Sequence, residues 1–518
     1  MSAAPQHEAV VIGAGFAGIC MAIRLKSAGI HEFVILERAD DIGGTWRDNR
    51  YPGVAVDIPS VTYQFSFAQN GNWRRVFAKG AEVKEYADNL VAEHGLRPHV
   101  RLGQDVVSAD FDQDRHCWVV RTAAGDTFTA RFLVSAHGVF GKANTPDIEG
   151  VGEFAGRTVH TLHWDQDYVP KGERVAVIGT GASSVQLVPE LARDVARLDV
   201  YQRTPIWVMP RTDVKLSPRV RKVLDRFAPA RWVSRGLTST FIELAMWLGV
   251  TNYSRLPFLT KGIEKLSLRH LRQQVADPDL RERLKPHYDF GCKRPALSNH
   301  YWRAFGKPNV ELVTDSIKRV HPHAIETADG TIREIDTLVL ATGFKFFEYD
   351  SVPGYAVRGE GGVDLRDWWL ENRFQAYEGI TVPGFPNLFL IPGPHFATSW
   401  SWLVMAENQT AHALRCITHA RERGATYVGV RRRAHDRFYA AMRRGHRKSL
   451  FTTASCASSN TYYLDRDGEP SIVRPQASTT VWWRARHFPL DDYEWRRPVP
   501  VRLSGQDTAG DRVSPGRG

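Results

Sequence analysis

Two glycine-rich turns of one design stand far apart in this chain: Gly13-Ala14-Gly15-Phe16-Ala17-Gly18 and Gly179-Thr180-Gly181-Ala182-Ser183-Ser184. Each follows a short apolar run (9–12 and 174–178), opens a helix-like stretch, and is succeeded by a second apolar run (33–36 and 198–201). Strand, turn, helix and strand in that order make a βαβ unit. Its first glycine permits the tight turn, its second lets backbone N–H groups at the helix N-terminus approach a pyrophosphate, and its third lets helix and strand pack closely. Two such units predict an α/β fold with two Rossmann-type dinucleotide-binding domains.

The units differ where specificity is set. The first ends its second strand in Glu37, nineteen residues after Gly18, where a carboxylate accepts hydrogen bonds from a ribose diol. The second ends in Gln202-Arg203-Thr204. A carboxylate there would repel a 2′-phosphate, whereas Arg203 and the Thr204 hydroxyl can bind one, so the expected cosubstrate is NADPH over NADH. Ser184 takes the third glycine position, which serves packing more than phosphate contact. Gly179, Thr180, Gly181, Ser183, Ser184 and Gln186 are the candidates around this second nucleotide.

Composition narrows the alternatives. At 518 residues, 43% hydrophobic and 24% charged, the chain suits a soluble globular protein of two to four domains. No nucleic-acid module accompanies the formal charge of +11, and the phosphates of two dinucleotides give cationic surface another use, so no nucleic-acid partner is expected. The basic runs 431–433 and 443–447 read as solvated helix faces. Cys20, Cys117, Cys292, Cys416 and Cys456 are scattered, with no C-x-x-C pair. That speaks against a dithiol reductase, and no metal is expected. The first residues run into a strand without a basic leader or apolar signal, which points to the cytoplasm. The apolar segment 237–250, flanked by Arg231, Trp232 and Arg235, contains Glu243 and is too short to span a bilayer. It is expected to be a buried helix of a cap over the substrate site, without stable membrane insertion.

Residues 1–144 are expected to form the first segment of one nucleotide domain, and 145–344 the second nucleotide domain with a helical insertion at about 212–290. Residues 345–503 would return to the first domain, and 504–518, rich in Gly, Ser and Asp, would be a disordered tail.

Between the two units lie Phe154, Gly156, His160, Trp164 and Asp165, in a stretch read as a linker. Their spacing resembles the F-x-G-x-x-x-H-x-x-x-W-(P/D) signature of Baeyer–Villiger monooxygenases, class B flavoproteins. Gly43-Gly44-Thr45-Trp46 followed by Tyr51-Pro52-Gly53 and Asp57 resembles a second pattern of that family, Gly291-Cys292-Lys293-Arg294 a third, and Ala341-Thr342-Gly343 a fourth. The resemblance implies FAD on the first unit, contacted by Gly13, Gly15, Gly18, Glu37, Gly44, Thr45, Trp46, Asp57 and Tyr63, with Val106 at its adenine end. It implies NADPH on the second, with Lys293 facing its phosphate, and a C-terminal lid in which Tyr462 replaces the family's Trp. Stacking would survive that exchange, but an indole N–H bond would be lost.

Arg294 would then face the reacting side of the flavin, paired with Asp57, while His160 and Trp164 couple domain rotation to the site. In the implied reaction NADPH reduces FAD, and oxygen forms a C4a-peroxyflavin that attacks a ketone to give an ester or lactone. Phe396, Trp400, Trp402, Tyr462 and Tyr463 are candidates for an apolar substrate pocket. Two other readings stay open: an N- or S-oxygenating flavin monooxygenase on the same scaffold, and a redox-sensing flavoprotein without oxygenated product. The expected partners are a ketone and dioxygen, and the expected assembly is a monomer or homodimer.

Overall fold

Strand β1 (His7–Ile12) is buried on both sides. Ala9 and Val11 join the core under helix α1 (Phe16–Ser27), while Val10 and Ile12 join a second core on the opposite face with Val34 and Leu36. A parallel strand covered on both faces needs apolar residues at every position, which is why this run shows no polar alternation. A computed structural model describes residues 4–346 and 352–497. The tail expected to be disordered, 504–518, lies outside the described residues, as does 498–503.

Around β1 the first sheet also contains β2 (Phe33–Leu36), β3 (Val100–Arg101), β4 (Val106–Asp112), β5 (Cys117–Thr122) and β6 (Thr127–Ser135). Later in the chain β12 (Ala356–Arg358) adds beside β4 and β13 (Leu388–Leu390) beside β6. The order is β12-β4-β5-β6-β1-β2-β3. The chain therefore leaves this sheet after β6 and returns to it after the second domain. Helix α7 (Trp402–Arg423) packs on α1 and closes that face.

The second sheet is all parallel, in the order β10 (Val310–Val313), β9 (Arg197–Tyr201), β8 (Arg174–Ile178), β11 (Thr337–Leu340), β7 (Arg157–His160). Strand β7 corrects the sequence reading. The stretch taken as a linker supplies an edge strand, paired with β11 as Val339↔Val159 and Leu340↔His160, before a short 3-10 turn leads on. With only Val159 of its four residues buried, it carries too little apolar signal to be read as a strand. Helix α2 (Ala182–Leu191) follows the second glycine turn.

The helical insertion is present as α3 (Pro218–Arg226), α4 (Ala228–Glu243), a π-helical continuation (Leu244–Thr251), α5 (Pro257–Gln274) and α6 (Pro278–Leu284). Each of the four α-helices carries a proline in its first turn, where a missing N–H costs nothing. The segment 237–250 is not the buried cap helix expected: Leu237, Phe241 and Leu244 are exposed, while Ile242, Ala245 and Met246, with the exposed Phe241 at the edge, line the central cavity. An apolar helix can be one wall of a cavity and still turn an apolar face to solvent, and composition alone does not separate the two.

The two nucleotide domains are joined through Gln186 of α2. Its Oε1 accepts from the Tyr51 hydroxyl (3.0 Å) and the Ala55 N–H (3.3 Å), and its Nε2 donates to the Ala55 carbonyl (3.0 Å). Gly53 makes the approach possible, since a Cβ there would stand 2.6 Å from the Gln186 carbonyl oxygen.

Candidate active site

Both glycine turns open onto one cavity of about 1440 Å³. On the first domain's side, Gly13 has φ +102° and a Cβ on it would meet the Ala136 carbonyl at 2.5 Å. A Cβ on Gly44 would stand 3.0 Å from the Gly15 Cα. The groove is therefore walled by bare backbone, as a pyrophosphate requires. Gly18 faces away: its Cβ would fall 1.9 Å from the Gly13 carbonyl oxygen, so it serves helix–strand packing.

Glu37 is buried at the rim, accepting from the Ala14 N–H (2.8 Å) and the Ala39 N–H (3.1 Å), with Arg47 Nη1 at 3.0 Å. Thr45 and Trp46 line the cavity, and the Trp46 indole N–H donates to the Tyr63 hydroxyl at 2.9 Å. The structure does not bring Val106 into this site. Its side chain packs in the core on one face of β4 and is not among the residues that line the cavity.

The second turn repeats the design. Gly179 has φ +109° and would press a Cβ to 2.5 Å from the Ala341 carbonyl. Thr180 Oγ1 donates to the Thr204 carbonyl at 2.8 Å, tying the turn to the end of β9. Thr180, Gly181, Ser183, Gln186, Arg203 and Thr204 all reach the cavity. Ser184 does not; it is fully buried, and its hydroxyl has no partner among the described residues.

Lys293 joins this end with its ammonium 5.8 Å over the Tyr288 ring. Burial, then the charge of Arg203, push its pKa down to about 8. Neither cation is paired with a carboxylate among the described residues, so together they offer an anion site fitted to a phosphate monoester.

Where the domains meet, Arg294 and Asp57 form a two-point pair, Nε to Oδ2 at 2.5 Å and Nη2 to Oδ1 at 2.8 Å. Their side chains are 46% and 30% accessible, and that surface faces the cavity they both line. Burial alone would raise the Asp57 carboxyl, but the Arg294 charge and hydrogen bonds outweigh it and hold it below its ordinary value. Arg294 is in turn pushed well above its ordinary value, first by Asp57. Nε and Nη2 are committed to Asp57. Nη1 has no acceptor among the described residues, leaving its N–H groups free to donate.

His160 and Trp164 stand outside the cavity. His160 Nδ1 accepts the Leu162 N–H at 3.0 Å, and burial lowers its pKa, so the ring is neutral at pH 7. Trp164 packs beside Tyr168 in the second domain's core, a core that also takes in Tyr51 from the first domain. Tyr462 lies on the cavity wall with its ring 4.6 Å from Phe346 and 4.7 Å from Tyr463. Phe396, Trp400, Trp402 and Tyr463 share that wall.

Sequence reasoning missed a disulfide, Cys292–Cys456, which ties the Lys293–Arg294 segment to the loop leading to Tyr462. The available signal was position: Cys292 precedes Lys293, and Cys456 precedes Tyr462 by six residues. Arg211 was missed as well; its charge helps keep Asp57 ionised.

Paired dinucleotide grooves facing one cavity, with a fixed guanidinium between them, define a two-nucleotide oxidoreductase. Residues 10–233 match the family described as pyridine nucleotide-disulphide oxidoreductase. Over 511 residues, 98% of this chain and 96% of the relative, the chain is 36% identical to a Baeyer–Villiger monooxygenase of Streptomyces coelicolor. Among solved structures, OTEMO in complex with FAD and NADP superposes with a TM-score of 0.85 at 28% identity, covering 95% of this chain and all of that one. Cyclohexanone monooxygenase from Rhodococcus sp. Phi1 bound to NADP+ gives 0.84 at 26% identity, covering 96% and 100%. The chain belongs to the Baeyer–Villiger monooxygenase family.

Proposed function

We propose that the protein is an NADPH- and FAD-dependent Baeyer–Villiger monooxygenase in which Arg294, held by Asp57, stabilises the charge that develops at the reacting atoms. A ketone, dioxygen, NADPH and a proton become an ester or lactone, water and NADP+. The observation that carries this is the Arg294 guanidinium in the cavity, fixed at two nitrogens and free at the third.

We assign FAD to the groove of Gly13, Gly15, Gly44, Thr45, Trp46 and Tyr63, with Gly18 shaping it and Glu37 at the ribose. NADPH is assigned to the groove of Gly179, Thr180, Gly181, Ser183 and Gln186, with Arg203, Thr204 and Lys293 at the 2′-phosphate. When bound, the flavin accepts hydride from NADPH and activates dioxygen. Arg294 stays protonated at any working pH and places fixed positive charge and free N–H groups where negative charge develops. Asp57 keeps that guanidinium in place and sets how much of its charge is left over. The aromatic wall of Phe396, Trp400, Trp402, Tyr462 and Tyr463 would shield bound reactants from water. His160 and Trp164, away from the reacting atoms, act at the domain junction. An electrophilic N- or S-oxygenation would leave the free Arg294 nitrogen without a task.

The domain division follows the same reading: 1–144 and 345–503 for the flavin, 145–344 for NADPH. All assigned residues come from one chain, so a monomer suffices and a homodimer would double the site. An enzyme consuming NADPH suits the cytoplasm, where NADPH is regenerated.

The test is a panel of ketones with the FAD-loaded enzyme, measuring ester by gas chromatography alongside NADPH consumption and hydrogen peroxide. Arg294→Ala is expected to lose at least about a hundredfold in ester formation while NADPH oxidation continues as peroxide release. Unchanged ester yield in that variant, or oxygenation of sulfides and amines alone, overturns the assignment.

A further inference from the structure

We propose that the outer face of the helical insertion is a docking surface for an anionic lipid bilayer. Along α4 and its π-helical continuation, Val233, Leu237, Phe241 and Leu244 follow one another at one-turn spacing and are 60%, 71%, 74% and 50% exposed. Trp232 stands beside them, 55% exposed. No charge interrupts this stripe, because the two arginines of α4 are turned onto backbone carbonyls. Arg231 donates to Leu224 and Asp225, and Arg235 donates to Gln64. Glu243 is likewise held, by the N–H and hydroxyl of Ser478 at the start of helix α8 (Ser478–His487). That contact sets α8, with exposed Trp482 and Trp483, beside the end of the stripe. The adjoining α3 and the residue that follows it continue the surface with exposed Val220, Val223 and Phe227. Contiguous exposed aliphatic and aromatic side chains of this kind mark an interaction site.

Charge identifies the occupant. Residues 219–272 contain eleven Lys and Arg against three Asp and Glu, so most of the chain's formal excess of +11 sits on this insertion. Lys222, Arg226, Lys265, Arg269 and Arg272 are exposed on the helices flanking the stripe. An apolar stripe edged with Trp and flanked by Lys and Arg matches the headgroup boundary of an anionic membrane. A second copy of this chain would bring the same positive charge against itself. No helix among the described residues is long and apolar enough to cross a membrane, so the attachment is peripheral.

The same helix reaches the central cavity through Ile242, Ala245 and Met246, and Phe241 of the stripe stands at the cavity's edge. One helix is thus shared between the proposed bilayer surface and the substrate cavity. Resting on the ketone reading above, this makes lipid-partitioning ketones the substrate class, delivered from the membrane.

The experiment is co-sedimentation of the FAD-loaded enzyme with vesicles of phosphatidylcholine alone or mixed with phosphatidylglycerol, at low and high salt. The wild type is expected to bind the anionic vesicles about tenfold better than the neutral ones, and to lose that advantage at high salt. Leu237→Glu with Val233→Glu is expected to abolish binding while turnover of a small water-soluble ketone is unchanged, which separates docking from catalysis. Lys222→Glu with Lys265→Glu is expected to remove the anionic preference. Equal sedimentation with and without vesicles overturns the proposal. So does a wild-type dimer that becomes monomeric in the Leu237→Glu variant, which would assign the stripe to contact between copies.

Discussion

Cys292 and Cys456 are joined although 164 residues separate them, and the bond fastens the segment carrying Lys293 and Arg294 to the loop that leads into Tyr462. Both half-cystines are fully buried, in a small core with Trp207, Tyr288 and Phe451. Alkylation of the unreduced, denatured protein is therefore expected to label three cysteines, Cys20, Cys117 and Cys416, and all five after reduction. Five labels without reductant would show the bond is not formed. Cys456→Ser is expected to lower stability by about 2–4 kcal/mol and to raise KM for NADPH, since the loop bearing Tyr462 loses its anchor.

With Lys293 at the proposed 2′-phosphate site, NADPH binding is expected to have a pH limit. The Lys293 pKa is pushed down to about 8 by burial and by Arg203, so below that value it is a cation and supports a phosphate, and above it the charge is lost. The dissociation constant for NADPH is expected to be flat below about pH 8 and to rise by about tenfold per unit above it, the slope of a single proton. Lys293→Gln should weaken binding at pH 7 and flatten the profile. A wild-type profile that stays flat to pH 10 would remove Lys293 from the phosphate site.

Gln186 holds the domains together through three hydrogen bonds, to Tyr51 and to both backbone groups of Ala55. Tyr51→Phe removes one of them and is expected to cost about 1 kcal/mol. Gln186→Ala leaves the Ala55 groups unpaired in a close-packed joint and is expected to cost about 1–3 kcal/mol. Thermal unfolding of the two variants reads both values. Equal and negligible losses would mean the joint is carried by its other contacts, the Arg294–Asp57 pair and the packing of Trp164 and Tyr51 in one core among them.

What could be read in the sequence followed from local chemistry. The glycine turns are legible because the backbone closeness at Gly13 and Gly179 tolerates no side chain, and the two-sided burial of β1 shows as an unbroken apolar run. Arg294 and Asp57 could be named from motifs, but their two-point pairing spans 237 residues and had no local signal of its own. Cys292 and Cys456 offered only their positions, just before Lys293 and six residues before Tyr462. Strand β7 was hidden because an edge strand with one buried residue resembles a loop. The helix over 237–250 was misjudged because apolar content measures neither which side meets a cavity nor which meets solvent. Val106 was placed by resemblance alone, and its side chain lies in the core on one face of β4, outside the cavity lining.

Asp57 separates positioning from acid–base chemistry. Burial pushes its carboxyl up, but the Arg294 charge and hydrogen bonds leave it below the ordinary 3.8, so it is ionised throughout pH 5–9 and cannot produce a break in a pH–rate profile there. For folding, the sign follows from the depressed value: the pair's contribution is present above about pH 4 and is lost as the pH falls through the native-state pKa. Asp57→Asn keeps the shape and one acceptor but removes the charge that restrains Arg294. Ester formation is expected to fall by about 10–100-fold, with KM for NADPH little changed and a larger share of NADPH consumed as hydrogen peroxide. The pH profile of the residual activity between 5 and 9 should keep the wild-type shape. A new or missing break in that range would show instead that Asp57 moves a proton during turnover.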